Sequence, residues 1–159
     1  MTPPYFSRDI EDFLRLLLKH GVRYVVVGGE AVIHYGYVRL TGDVDFLFDA
    51  SLDNAGTLFQ ALKEFCHGAV PGIADSRELT EPGAILQFGV PPNRIDLLNQ
   101  IDGVSFEECW KNRVEVMVPS LEGEVPVHFI GLSELIRNKT AAGRDKDLDD
   151  LRFLRKARG

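Results

Sequence analysis

Two aspartates one residue apart, Asp43 and Asp45, lie in the run Asp43-Val44-Asp45-Phe46-Leu47-Phe48. The alternation predicts a strand over 43–48, with Val44, Phe46 and Phe48 turned to a core and the two carboxylates on the opposite face, about 6.5–7 Å apart at Cα. Carboxylates this close repel, and one tends to hold a proton; a divalent cation removes the conflict. A third carboxylate, Asp96, falls in a second predicted strand, Arg94 to Leu98, where Ile95 and Leu97 share one face and Arg94 and Asp96 the other. An unpaired buried charge is costly, so an aspartate flanked by apolar neighbours is informative. If the two strands are neighbours, Asp43, Asp45 and Asp96 meet on one surface. Three carboxylates can hold two Mg²⁺ about 3.5–4 Å apart, one lowering the pKa of an attacking hydroxyl and the other neutralising a leaving pyrophosphate. Mg²⁺ prefers such hard oxygen ligands. The histidines, His20, His34, His67 and His128, are scattered and do not suggest zinc. The competing reading of Asp43 and Asp45 is a solvated edge-strand face.

The elements that would position these groups can be read in order. Ser7 can cap a helix over about 8–20, with Ile10, Phe13, Leu14, Leu17 and Leu18 on one apolar face and Gly21 ending it. Arg23 to Val27 is a short β-branched run, expected as a buried strand. Gly28-Gly29 follows at once and permits a sharp turn that brings N–H groups close to a ligand. Taken alone, the pair fits a tight strand-to-helix turn with no ligand better, and the dinucleotide pattern Gly-x-Gly-x-x-Gly is absent. One or two helical turns over 30–36 should lead to the 43–48 strand. A helix to about Phe65 is followed by an unreadable stretch at 73–83. Ala84–Gly89 and 94–98 suggest a hairpin. Ser105 and Glu108 fit a capping box for a short helix carrying Trp110. Strands over 114–118 and 125–130, a helix capped by Ser133 and stopped by Gly143, and a last helix over 145–157 with Leu148, Leu151 and Leu154 inward complete the chain. Lys139 lies on the first of these two helices, either exposed or facing the site, with Asp147 as an ion-pair partner.

The 159 residues, 45% hydrophobic and 26% charged, suit one soluble globular domain over 1–159 with a helical tail at about 133–157. No apolar run approaches the ~18 residues of a membrane span, and Met1-Thr2-Pro3-Pro4-Tyr5 lacks a signal-peptide layout. Cys66 and Cys109 are far apart, as for reduced thiols in a cytoplasmic protein. The net charge of −6 argues against sequence-blind DNA binding. From Arg137 to Gly159, eight Lys/Arg face four Asp, so that segment carries +4 and the rest −10. A basic segment on an acidic body could meet a phosphate chain, while a solvated helix laced with ion pairs accounts for most of these charges.

The order Gly28-Gly29, Asp43-Val44-Asp45 and Asp96 resembles the nucleotidyltransferase superfamily, with its DNA polymerase β-like fold. Val27-Gly28-Gly29-Glu30-Ala31, His34-Tyr35-Gly36 and Arg39-Leu40-Thr41-Gly42-Asp43-Val44-Asp45 are similar to minimal bacterial and archaeal members. So are Leu135-Ile136-Arg137-Asn138-Lys139 and Ala142-Gly143-Arg144-Asp145-Lys146-Asp147, a pattern shared with AbiEii-type toxin enzymes. The resemblance implies an α+β fold with a mixed, largely antiparallel sheet, helices packed on one side and a short C-terminal helical segment. It implies Asp43, Asp45 and Asp96 as catalytic metal ligands for two Mg²⁺ (Mn²⁺ substituting), with Asp96 acting on the incoming hydroxyl. Gly28, Gly29, Arg39, Thr41 and Lys139 become the expected contacts to a nucleoside triphosphate such as ATP. The implied reaction moves an NMP to a hydroxyl of a protein, an RNA such as tRNA, or a small molecule. A homodimer or an antitoxin is the implied partner. Glu30 stands where many such enzymes have serine. Competing readings are a non-catalytic nucleotide- or partner-binding module, as in a toxin–antitoxin pair, and a phosphohydrolase using the same carboxylates on water.

Overall fold

A computed structural model describes residues 5–37, 43–91 and 93–158. Tyr24–Val27 (β1) is buried at all four positions, as expected of a short run of large and β-branched residues in mid-sheet. Around it the described residues form a six-stranded sheet: Asp43–Phe48 (β2), Ile85–Phe88 (β3), Arg94–Leu98 (β4), Val114–Ser120 (β5) and Gly123–Phe129 (β6), in the order β3-β4-β2-β1-β6-β5. Three of the strand pairings are antiparallel, β1 with β2, β3 with β4, and β5 with β6. The other two, β1 with β6 and β2 with β4, are parallel. The expected hairpin over 84–98 is present, and its second strand lies directly beside β2.

The α+β class holds, and the helices divide between the faces. Arg8–Lys19 (α1) and Leu52–Phe65 (α3) cover one face, over Tyr24, Val26, Val44, Phe46, Phe48, Ile95 and Leu97. Gly28–His34 (α2), Phe106–Lys111 (α4), Leu132–Ala142 (α5) and Asp145–Arg158 (α6) bring their apolar residues to the other, against Val25, Val27 and Leu47. The arrangement of helices on one side thus describes α1 and α3, while the C-terminal segment covers part of the second face. That second face is the one on which Asp43, Asp45 and Asp96 lie.

Local signals act largely as expected. Ser7 accepts from the Ile10 N–H, Gly21 follows α1 at φ +65°, and Ser105 and Glu108 form a capping box. Gly143 ends α5 in the left-handed region. Ser133 does not cap α5. The cap is Gly131, whose Cβ, if present, would lie 2.8 Å from the Asn112 carbonyl oxygen and 2.6 Å from Glu134 Oε1. Leu18 and Leu148 sit at the margins of their apolar stripes and are exposed, whereas Leu17, Leu151 and Leu154 are buried. No helix among the described residues is long and apolar enough to cross a membrane. Cys66 and Cys109 are unbridged, and Cys109 is buried in the second core.

Candidate active site

Register places the carboxylates. In the parallel β2–β4 pair, Asp43 lies beside Arg94 and Asp45 beside Asp96. Side chains at paired positions share a face, so all three carboxylates project from the same side. One oxygen from each lies within 4.8 Å of the others. The antiparallel β1–β2 register sets Val27 beside Asp45, so the chain leaves β1 into Gly28 directly over that carboxylate. Gly28 has φ +67°, and a Cβ there would stand 2.3 Å from Asp45 Oδ2. Both the backbone conformation and the close approach require glycine.

The three aspartates have unequal surroundings. Asp43 and Asp96 share the Arg94 guanidinium: Nη2 donates to Asp43 Oδ2 at 2.6 Å, and Nε and Nη2 donate to the two oxygens of Asp96 at 3.0 and 3.2 Å. Asp45 Oδ1 is buried with no hydrogen-bond partner. Burial, followed by the charges of Asp43 and Asp96, pushes the Asp45 carboxyl up to about 7. A buried, unsatisfied carboxylate oxygen facing two further carboxylates is the donor set a hard divalent cation completes, and the residues present fit such an ion.

Two lobes open on the carboxylates. One, of about 240 Å³, is lined by Gly28, Gly29, the three aspartates, Arg94, Lys139, Arg144 and Lys146. The other, of about 470 Å³, shares Gly28, Asp45, Asp96, Lys139 and Arg144, and adds Gln87, Gln100 and Asn138 among apolar side chains such as Ile85, Leu98 and Ile101. The first is almost wholly polar, with four cations beside three carboxylates; the second is mixed and roomier.

Lys139 reaches both lobes as wall. It is 3% exposed, and its ammonium donates to Asp147 Oδ1 at 3.0 Å and pairs with Asp150 Oδ2 at 3.2 Å. It is neither an exposed helix lysine nor turned wholly to the cavity, because α6 claims its charge. The cations that sequence reasoning did not assign to the site are Arg94, Arg144 and Lys146. The shared face of Arg94 and Asp96 was the available signal for the first, and the basic run after Gly143 for the others. Glu30 is absent from the described lining of the first lobe, and burial together with the Glu30 charge pushes the Tyr5 hydroxyl up to about 12. Arg39 and Thr41 lie outside the described residues.

The mixed sheet thus carries three convergent carboxylates on two neighbouring strands, beside a glycine turn that follows its central strand. Residues 8–154 match the family model described as nucleotidyltransferase of unknown function (DUF6036), and the chain belongs to that family. No curated protein matches the chain.

Proposed function

We propose that the chain transfers an NMP from a nucleoside triphosphate to a hydroxyl acceptor and releases pyrophosphate. The observation that carries this reading is the in-register pair Asp45–Asp96, with Asp43 beside it, under the Gly28 turn and open to a polar lobe bordered by basic side chains. Asp43, Asp45 and Asp96 would hold divalent cations, Mg²⁺ in the first instance, which supply positive charge to the triphosphate and to the attacking oxygen. The first turn of α2, at Gly28 and Gly29, carries no side-chain cap, so its N–H groups are available to phosphate oxygens. Arg144 and Lys146 add charge along the same lobe, and Lys139 holds its wall. Asp96 borders both lobes and faces the acceptor. The acceptor oxygen bonds to the α-phosphorus and its proton passes to the Asp96 carboxylate. The bond to the β-phosphate's bridging oxygen breaks, and the electron pair leaves with pyrophosphate.

The test is incubation with all four α-labelled triphosphates, Mg²⁺ and candidate acceptors (the protein itself, tRNA, small metabolites), with pyrophosphate and labelled adducts measured. The wild type should yield both, and Asp43→Ala/Asp45→Ala should lose at least a hundredfold, on the order of an essential electrostatic contact. Equal signal from both proteins rejects the site. Free NMP or phosphate without adduct identifies hydrolysis, and nucleotide binding without any product identifies a binding module.

A further inference from the structure

Asp43 and Asp96 are claimed by a cation that the chain itself supplies. Arg94 stands next to Asp43 across the β2–β4 pair and two residues before Asp96 on the same strand, so strand geometry alone brings its fork over both carboxylates. Its contacts at 2.6, 3.0 and 3.2 Å use both oxygens of Asp96 and one of Asp43. They do not extend to Asp45 Oδ1, the oxygen left without a partner. A guanidinium and a divalent cation drawn to the same oxygens would stand within a few ångströms of one another and repel. The Arg94 side chain remains about one-third exposed at the mouth of the cavity. It therefore has somewhere to go, and the lobe it borders already holds Arg144 and Lys146.

Building on the metal-dependent reading above, we infer that Arg94 is a resident counter-cation that a divalent ion displaces and that then turns to the triphosphate. In the metal-free protein it keeps Asp43 and Asp96 from repelling each other and holds the strand ends in register. On loading, the carboxylates change partner, and the guanidinium, with its planar fork of donors, meets phosphate oxygens. Arg94 thus couples metal occupancy to nucleotide binding. The alternative is a fixed strut that orients Asp96 before and after loading. The two differ in sign: losing a competitor tightens metal binding, whereas losing a strut weakens it.

The experiment is calorimetric titration of the full chain with Mn²⁺ alone, then of the Mn²⁺-loaded protein with an α,β-methylene ATP analogue, for wild type, Arg94→Gln and Arg94→Lys. We expect Arg94→Gln to bind Mn²⁺ about tenfold tighter and the analogue about tenfold more weakly, the scale of one charge-assisted contact. Its metal-free melting temperature should fall and be restored by Mn²⁺. Arg94→Lys keeps the charge without the fork and should shift both affinities in the same directions by less, so it decides the matter if Arg94→Gln does not fold. Mn²⁺ affinity that is unchanged or weakened in the variants overturns the inference. Displacement by Mn²⁺ in a protein that makes no nucleotidyl adduct would leave the inference standing and remove the transfer reaction. Absence of Mn²⁺ binding to every form removes the inference and the metal-dependent reading together.

Discussion

Asp45, half-buried on the cleft, and Asp147, fully buried behind Lys139, are driven in opposite directions by their surroundings. Burial raises Asp45, the charges of Asp43 and Asp96 add to it, and the group sits at about 7. Burial also acts to raise Asp147, which is fully buried, but hydrogen bonds from Arg144 and Lys139 override it and hold the carboxyl at about 2. The difference lies in the number of donors. Asp147 receives the Lys139 ammonium, the Arg144 guanidinium and the Arg144 backbone N–H. Asp45 has carboxylates for neighbours and one oxygen with no partner. A carboxylate whose cations come from its own helix pair serves to hold the structure together. One that its own chain leaves short of donors is a candidate for a functional site.

The sharpest way to break that contrast is to treat the two clusters alike. Lys139→Met strips the ammonium from two buried carboxylates, Asp147 and Asp150. Removing one partner of a buried ion pair costs about 3–5 kcal/mol. Urea unfolding should show a loss of that size. A loss below about 1 kcal/mol would mean that Lys139 does not clasp α5 to α6, and its charge would then return to the list of phosphate contacts.

Gly28→Ala tests the other cluster through the backbone. The left-handed conformation costs a side-chain-bearing residue about 1–2 kcal/mol, and here the added Cβ also strikes Asp45 Oδ2. We expect about 2 kcal/mol of destabilisation together with weakened Mn²⁺ binding, both read from melting curves with and without the ion. Gly21→Ala is the control. Gly21 has nearly the same φ, +65°, with nothing within 4 Å of the added atom. It should show the conformational cost, about 1 kcal/mol, and no change in metal response.

These contrasts also mark what the chain's pattern could and could not reveal. The alternation in 43–48 and 94–98 fixed which face each aspartate would take. A hairpin ending at 98 left one short step, a parallel pairing of its second strand with β2, to bring Asp96 beside Asp45. That pairing depends on how the two cores pack, and no local signal encodes it. The 3₁₀ turn at Ser76–Thr80, capped by Asp75 and Glu78, stayed hidden because one turn has no periodicity to detect. The pairing of Lys139 with Asp147 was legible, but the burial of Lys139 was not, because it depends on how α6 folds back after Gly143. Glycine as the cap of α5 was obscured by Ser133 two residues later, a better capping residue in isolation; the close approach of Asn112 that selects Gly131 is a tertiary contact.

Asp45→Asn sharpens the comparison through pH. A carboxyl held at about 7 when folded and 3.8 otherwise keeps its proton longer in the folded protein. Metal-free stability from this group is therefore greatest below about pH 4 and falls as pH rises towards 7. Asp147 has the reverse sign: its contribution is present above 3.8 and is lost as pH falls towards 2. Asparagine cannot ionise, so the variant should lack the decline between pH 4 and 7 and be more stable than metal-free wild type at pH 8. Saturating Mn²⁺ should stabilise wild type most at the alkaline end and leave the variant nearly unmoved. A wild-type profile that is flat from pH 5 to 8 without metal would show that Asp45 is not strained by its neighbours.

The smallest effect belongs to Arg137→Ala, and it separates distance from environment. Arg137 Nη1 lies 2.6 Å from Glu108 Oε2, closer than Lys139 comes to Asp147, but its side chain is 50% exposed and that of Glu108 43%. Water solvates both groups when the contact is lost, and exposed pairs of this kind contribute little. The variant should melt with wild type within error, bind Mn²⁺ equally well, and show no change in pH profile. The Arg137 contact to the Gly103 carbonyl, at 3.2 Å, is likewise replaceable by water. A clear loss would mean that solvent does not screen the α4–α5 surface and that contact length alone ranks these ion pairs. The opposite states of Asp45 and Asp147 would then need an explanation other than the number of donors each can reach.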